Sequence, residues 1–193
     1  SSVTSVSTVN TDAVGSYSVT YSVSDANGNA AVEVVRTVKV VDTAVPEITL
    51  SGSSTVTQEA KGTYVDGGAR ASDTLDGDLT SSVTSVSTVN TDAVGSYSVT
   101  YSVSDANGNA AVEVVRTVKV VDTAVPEITL SGSSTVTQEA KGTYVDGGAR
   151  ASDTLDGNLT GMVTSVSTVN TDVVGSYSVT YSVSDAKGNT ALE

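Results

Sequence analysis

The chain of 193 residues carries 9 basic and 22 acidic side chains and no His, a net charge of −13, and it contains no Cys, Trp or Phe. Without His or Cys no Ser-His-Asp or Cys-His relay can be assembled, a zinc site lacks its usual imidazole and thiolate ligands, and no disulfide framework can form. So few cations in so acidic a chain exclude a phosphate-neutralising nucleic-acid surface and disfavour an anionic membrane, and no apolar run approaches the roughly 18 residues of a spanning helix.

The sequence is a repeat with a period of 80 residues. Residues 1–80 and 81–160 differ only at Asp78 against Asn158, and a third copy begins at Gly161 and departs at Met162, Val173, Lys187, Thr190 and Leu192. That period suffices for an independent small domain. The extended segment Val41-Asp42-Thr43-Ala44-Val45-Pro46, repeated at Val121 to Pro126, is the expected linker, because proline fixes φ and biases its predecessor towards extended geometry. It divides the chain into 1–43, the C-terminal part of a repeat; 44–123, a complete repeat; and 124–193, a repeat lacking most of its last strand. This phase implies an excerpt of a longer tandem array, or ends completed by a neighbouring chain.

In chain order, the complete repeat predicts strands at 47–50, 55–58, 68–72 and 83–90, the last either one bent strand or two short ones, since alternation fails between Val83 and Val86. At 96–104, Tyr97, Val99, Tyr101 and Val103 share one face and Ser and Thr the other, the period of a half-buried strand. Asp105-Ala-Asn107-Gly108-Asn109 then predicts a hairpin, with Asn-Gly suited to a type I′ turn. Residues 111–121 return as a strand with Val112, Val114, Val118 and Val120 on a common face; Arg116 interrupts it, which predicts a bulge or a buried-edge ion pair. Helical periodicity is absent. About seven short strands in 80 residues make an all-β, two-sheet sandwich. Asp92-Ala-Val-Gly95-Ser-Tyr97 has the form of a tyrosine corner, in which a Tyr at a strand start bonds back to the backbone. The tyrosines are expected to pack rather than to stack on a ligand.

Pro46-Glu-Ile-Thr-Leu50, Tyr64-Val-Asp66-Gly67-Gly68, Leu75-Asp76-Gly77-Asp78-Leu79-Thr80, Gly95-Ser-Tyr97, the Asp105-to-Asn109 turn and Arg116-Thr-Val118 together resemble the bacterial immunoglobulin-like repeats of large surface and adhesin proteins. The resemblance covers every repeat. It implies tandem immunoglobulin-like β-sandwich domains, secretion, and a stalk or adhesive role at a bacterial cell surface.

In a sandwich of this topology the B–C loop, the F–G turn and the start of strand A meet at one pole. There Asp73, Asp76 and Asp78 would join Asp105, Asn107 and Asn109 and, from the preceding linker, Asp42; the next joint would bring Asp122 to Asp153, Asp156, Asn158 and Asp185. Ca²⁺ takes six to eight hard oxygens in irregular geometry, so these are suitable ligands, and an ion would offset their repulsion. The competing explanation is that Asp, Asn and Gly are turn formers in solvated loops. Asp105 to Asn109 lacks the Glu of an EF-hand loop. No catalytic residue and no organic cofactor site is expected: the acids of the first loop have few aromatics beside them to hold a sugar, and Lys61 and Lys119 are expected at the surface rather than in covalent cross-links. The repeat 44–123 has four basic and ten acidic side chains, so neighbouring domains repel, extend and stay soluble. The expected function is therefore a non-catalytic extracellular spacer, its joints stiffened by calcium. The alternative is a binding module for carbohydrate or protein, or a filament subunit. Expected partners are neighbouring repeats, other copies of the chain, or host and matrix glycans, with no nucleic acid and no membrane insertion.

Overall fold

A computed structural model of the chain describes residues 2–192. The regular structure comprises sixteen strands and two short 3₁₀ turns, with no α-helix among the described residues. The first repeat contributes β1 (Thr4–Ser7), β2 (Gly15–Ser22) and β3 (Val34–Val40), an antiparallel sheet in that order. The middle repeat supplies β4 (Glu47–Leu50), β5 (Thr55–Glu59), β6 (Ala69–Asp73), β7 (Gly77–Asp78), β8 (Thr84–Ser87), β9 (Gly95–Ser102) and β10 (Val114–Val121). These seven form two sheets, β4-β6-β7 and β5-β10-β9-β8. The third repeat holds β11 (Glu127–Leu130), β12 (Ala149–Asp153) and β13 (Gly157–Asn158) in one sheet, and β14 (Thr164–Ser167), β15 (Val179–Ser184) and β16 (Thr190–Leu192) in another. This is the all-β sandwich that the alternation of apolar and hydroxyl side chains dictates.

Two compact units result. One comprises Ser1–Ser54, Gly67–Ser87 and Val99–Arg116, and the other Thr55–Asp66, Thr88–Ser98 and Thr117–Glu193. In the first, Ile48 and Ala71 from one sheet, Val99 and Tyr101 from the other, and Val103 just beyond β9 are buried. In the second, Ala60, Val118, Val120, Ala151, Tyr181 and Val183 are buried. Both cores are thin and aliphatic, with one buried tyrosine apiece.

Several local expectations meet a different outcome. Of the bulge and the buried-edge ion pair expected at Arg116, the bulge does not form: β10 runs unbroken, and the side chain turns inward to 1% exposure. Its Nη2 donates to the carbonyls of Ser51 (2.7 Å) and Gly68 (3.1 Å), Nε to Ser53 (3.1 Å), and Nη1 to the Tyr101 hydroxyl (2.8 Å). A buried guanidinium is tolerable only because its donors are matched in this way. Gly67 makes room for it, since a Cβ there would lie 2.7 Å from the Ser51 carbonyl oxygen and 3.3 Å from Arg116 Nη1. β10 starts at Val114 rather than 111, and Val112 is 80% exposed. The 83–90 segment keeps only β8 as a strand. The hairpin is not type I′. Gly108 alone takes positive φ (+90°), Gly108 N donates to Asp105 O, and Asp105 N to Asn109 O, which is a type I turn closed by a left-handed glycine. The pairing of β5 with β10 is parallel, with Thr55 opposite Thr117 and Glu59 opposite Val121.

The tyrosine corner is present in all three copies. The hydroxyls of Tyr17, Tyr97 and Tyr177 donate to the carbonyls of Ala13, Ala93 and Val173, each at 2.9 Å.

Candidate metal centre

Two groups of carboxylates form at equivalent places. In each, one oxygen from every residue lies within 4.8 Å of the others: Asp42, Asp73, Asp76 and Asp105 in the first, Asp122, Asp153 and Asp156 in the second. Each group lies within a single compact unit. Asp42 and Asp122 stand on the linkers after β3 and β10, Asp73 and Asp153 end β6 and β12, and Asp105 opens the hairpin turn after β9.

Local chain chemistry fixes these side chains. Asp73 Oδ1 accepts from the amides of Leu75 (2.7 Å) and Asp76 (3.1 Å), and Asp76 Oδ2 from Ala106 N (2.9 Å). Asp105 Oδ1 accepts from the amides of Asn107 (2.9 Å) and Asn109 (2.7 Å), while its Oδ2 takes Asn109 Nδ2 (2.7 Å). The linker is drawn in by the same asparagines: Asn107 Nδ2 donates to Asp42 Oδ2 (3.0 Å) and Asn109 Nδ2 to the Asp42 carbonyl (3.3 Å). The second group repeats the pattern at Asp153, Asp156 and Asp185, with Asn189 Nδ2 on the Asp122 carbonyl (3.2 Å). These bonds orient the carboxylates but leave oxygens over. Oδ2 of Asp73, Asp122 and Asp153 is shut from solvent and has no hydrogen-bond partner. Asp153 as a residue is only 9% exposed. A buried carboxylate oxygen without a donor is costly, and several facing one another repel. A hard cation satisfies both deficits, so the donor set, all oxygens, fits Ca²⁺.

The electrostatics differ around the groups. Burial pushes the Asp105 carboxyl up, but the Asn109 side chain and the amides of Asn109, Asn107 and Gly108 outweigh it and hold the pKa below the ordinary value. Asp185 behaves in the same way. At Asp122 the balance reverses: burial, then the charges of Asp153, Asp185, Glu59 and Asp156, raise its pKa.

Of the twelve positions expected from the sequence, seven converge. Asp78 and Asn158 do not: both are exposed, and each turns its Oδ1 to the amide two residues on, Thr80 (2.9 Å) and Thr160 (3.0 Å). The Thr80 hydroxyl and amide lower the Asp78 pKa. Asn107 and Asn109 present amide nitrogens to Asp42 rather than oxygens. Asp185 stands beside its group without joining it. Two contributors escaped the sequence reading. Asn189 is the counterpart of Asn109 one period on, so the repeat itself was the signal. Glu59 grips the linker after Asp122, accepting from Thr123 N (2.8 Å) and its hydroxyl (2.9 Å), and no local pattern announces that pairing.

Other candidate sites carry less chemistry. Lys61 Nζ pairs with Asp92 Oδ1 (3.0 Å) at the surface, an ordinary exposed ion pair. A cavity of about 850 Å³ in the third repeat is lined by Thr135, Val136, Gln138, Glu139, Ser176 and Val179, among others. Its lining includes the counterparts, one period on, of β5 and β9, the strands that flank β10 in the middle repeat.

The family described as bacterial surface protein, Ig-like domain, matches residues 1–40, 48–120 and 128–192. The chain belongs to that family, and its place at a bacterial surface follows at that level. No curated protein sequence matches the chain. Among solved structures it is similar to a lipoprotein from Bacteroides thetaiotaomicron (22% identity, 44% of this chain and 45% of that one, TM-score 0.36). It is also similar to two structures of Clostridium perfringens ZmpB. One contains CBM51-2 in complex with GlcNAc and INT domains (22% identity, 72% and 27% coverage, TM-score 0.34). The other contains the M60 catalytic domain with CBM51-1 and CBM51-2 (16% identity, 95% and 33% coverage, TM-score 0.44). The chain spans less than half the length of each. No helix among the described residues is long and apolar enough to cross a membrane.

Proposed function

We propose that the chain is a run of non-catalytic spacer repeats from an extracellular bacterial adhesin or matrix protein, divided at 43/44 and 123/124, with joints locked by calcium. The observation that carries this reading is the linker carboxylate at each joint. Asp42 and Asp122 are drawn against loops of the following repeat, beside buried oxygens that no protein donor satisfies. An ion held there ties linker to domain and removes the freedom of the joint. The residues that would hold it are Asp42, Asp73, Asp76 and Asp105, and Asp122, Asp153 and Asp156. The acidic surface then keeps successive repeats apart, so a long array carries whatever stands at its end away from the cell.

Calorimetry of the full chain in calcium and in chelator tests the reading, alongside small-angle scattering and a glycan array. An ion at 100 times its dissociation constant adds about 2.7 kcal/mol per site. The expected result is a higher melting temperature, a longer particle in calcium, and no saturable glycan binding. Identical melting and length in both buffers overturn the calcium lock. Saturable binding of a glycan replaces the spacer with a binding module.

A further inference from the structure

The two carboxylate groups come from the same loops, copied one period apart, yet they differ at one side chain of the hairpin turn. At the first group Asn107 donates Nδ2 to Asp42 Oδ2 at 3.0 Å. At the second the turn keeps its backbone. The amide of residue 187 bonds Asp185 Oδ1 at 2.8 Å, as that of Asn107 bonds Asp105 Oδ1 at 2.9 Å, and Gly188 repeats the positive φ of Gly108. Residue 187 therefore leaves the chain from the equivalent point, but it is Lys187, with an exposed side chain. A neutral amide has been exchanged for a cation on a flexible four-carbon stem, rooted beside a group of carboxylates. Oδ2 of Asp122 lacks the amide donor that Asp42 enjoys, and Oδ2 of Asp153, a residue only 9% exposed, also has no partner.

We propose that the chain holds calcium at two sites of unequal strength, tight at Asp42, Asp73, Asp76 and Asp105 and weaker at Asp122, Asp153 and Asp156, with Lys187 setting the difference. The inference rests on the calcium reading above. A unit positive charge at the reach of a lysine stem from a divalent ion, on the order of 6–8 Å and screened as in water, lowers affinity roughly five- to tenfold. The second site also gathers three carboxylates where the first gathers four, which acts in the same direction. As calcium falls, the joint at Asp122 is released first and the joint at Asp42 persists, so neighbouring joints of nearly identical sequence respond at different ion concentrations.

Calorimetric titration of the full chain with CaCl₂ at low salt tests this with the native sequence, N107K and K187N. The expected native curve has two steps separated about five- to tenfold. K187N tightens the weaker step towards the stronger, and N107K weakens the stronger towards the weaker. K187N installs a residue that the same turn already carries in the middle repeat, so its fold is safeguarded, and melting curves check both variants. Two equal native steps, or unequal steps that K187N leaves unmoved, overturn the ordering while the calcium reading stands. Absence of uptake by all three proteins overturns both.

Discussion

Replacing Arg116 by Ala removes the most densely bonded side chain of the first compact unit. Its guanidinium donates to the carbonyls of Ser51, Ser53 and Gly68 and to the Tyr101 hydroxyl, and lies 5.6 Å from the Tyr101 ring centroid. At 1% exposure its place is closed to bulk solvent. Three carbonyls and a hydroxyl lose a donor, and a void opens where the side chain lay. Truncating one side of a buried, hydrogen-bonded charge costs about 3–5 kcal/mol. For a domain of this size that corresponds to a melting-temperature drop of roughly 15–30 °C. The chain contains its own control. Arg36 sits in the same local sequence, Val34-Val-Arg-Thr-Val-Lys-Val40, but is exposed, with its guanidinium 5.7 Å from the Tyr21 ring centroid. R36A is expected to cost about 0.5–1 kcal/mol. Calorimetry of the two variants in the full chain separates them. If R116A and R36A melt within about 1 kcal/mol of each other, the buried hydrogen-bond fan is not what holds this sandwich together.

Two other perturbations read the same architecture. G67A forces a Cβ to within 2.7 Å of the Ser51 carbonyl oxygen and is expected to cost about 1–3 kcal/mol in a urea melt, whereas wild-type stability would show that the loop yields freely. In the third repeat the Tyr181 hydroxyl donates to Asp146 Oδ1 at 2.6 Å, and this bond, with burial and the Asp146 charge, pushes the Tyr181 pKa up to about 12. A raised acid contributes stability that is complete below its ordinary value near 10 and lost as pH climbs towards 12. The same bond lowers the Asp146 pKa, so its contribution holds above the ordinary carboxylate value of 3.8 and fades on further acidification. Ultraviolet titration should show a component ionising near 12 in the native chain that is missing from Y181F; a native titration curve that Y181F leaves unchanged at high pH contradicts the bond.

The sequence discloses features whose physics is local. Strand β9 was legible because Tyr and Val alternate with Ser and Thr, and a strand buried on one face admits no other register. The tyrosine corner was legible because its donor and acceptor lie four residues apart. What stayed hidden depends on distant partners. Arg116 stands out among valines, but the carbonyls it meets belong to residues 51, 53 and 68. β5 and β10 pair in parallel across some sixty positions, with no turn between them to signal it. At the joints, composition named the carboxylates but not their directions. Asp73 and Asp78 share one loop region, yet a side chain–backbone bond to Thr80 claims Asp78, a competition that short polar residues enter readily.

Crystals grown in calcium chloride locate any bound ion through its anomalous signal. A peak is expected among Asp42, Asp73, Asp76 and Asp105, each offering an oxygen at about 2.3–2.6 Å, and a second among Asp122, Asp153 and Asp156. Empty carboxylate groups at millimolar calcium, with Oδ2 of Asp73 and Asp153 bonded only to water, would contradict that expectation.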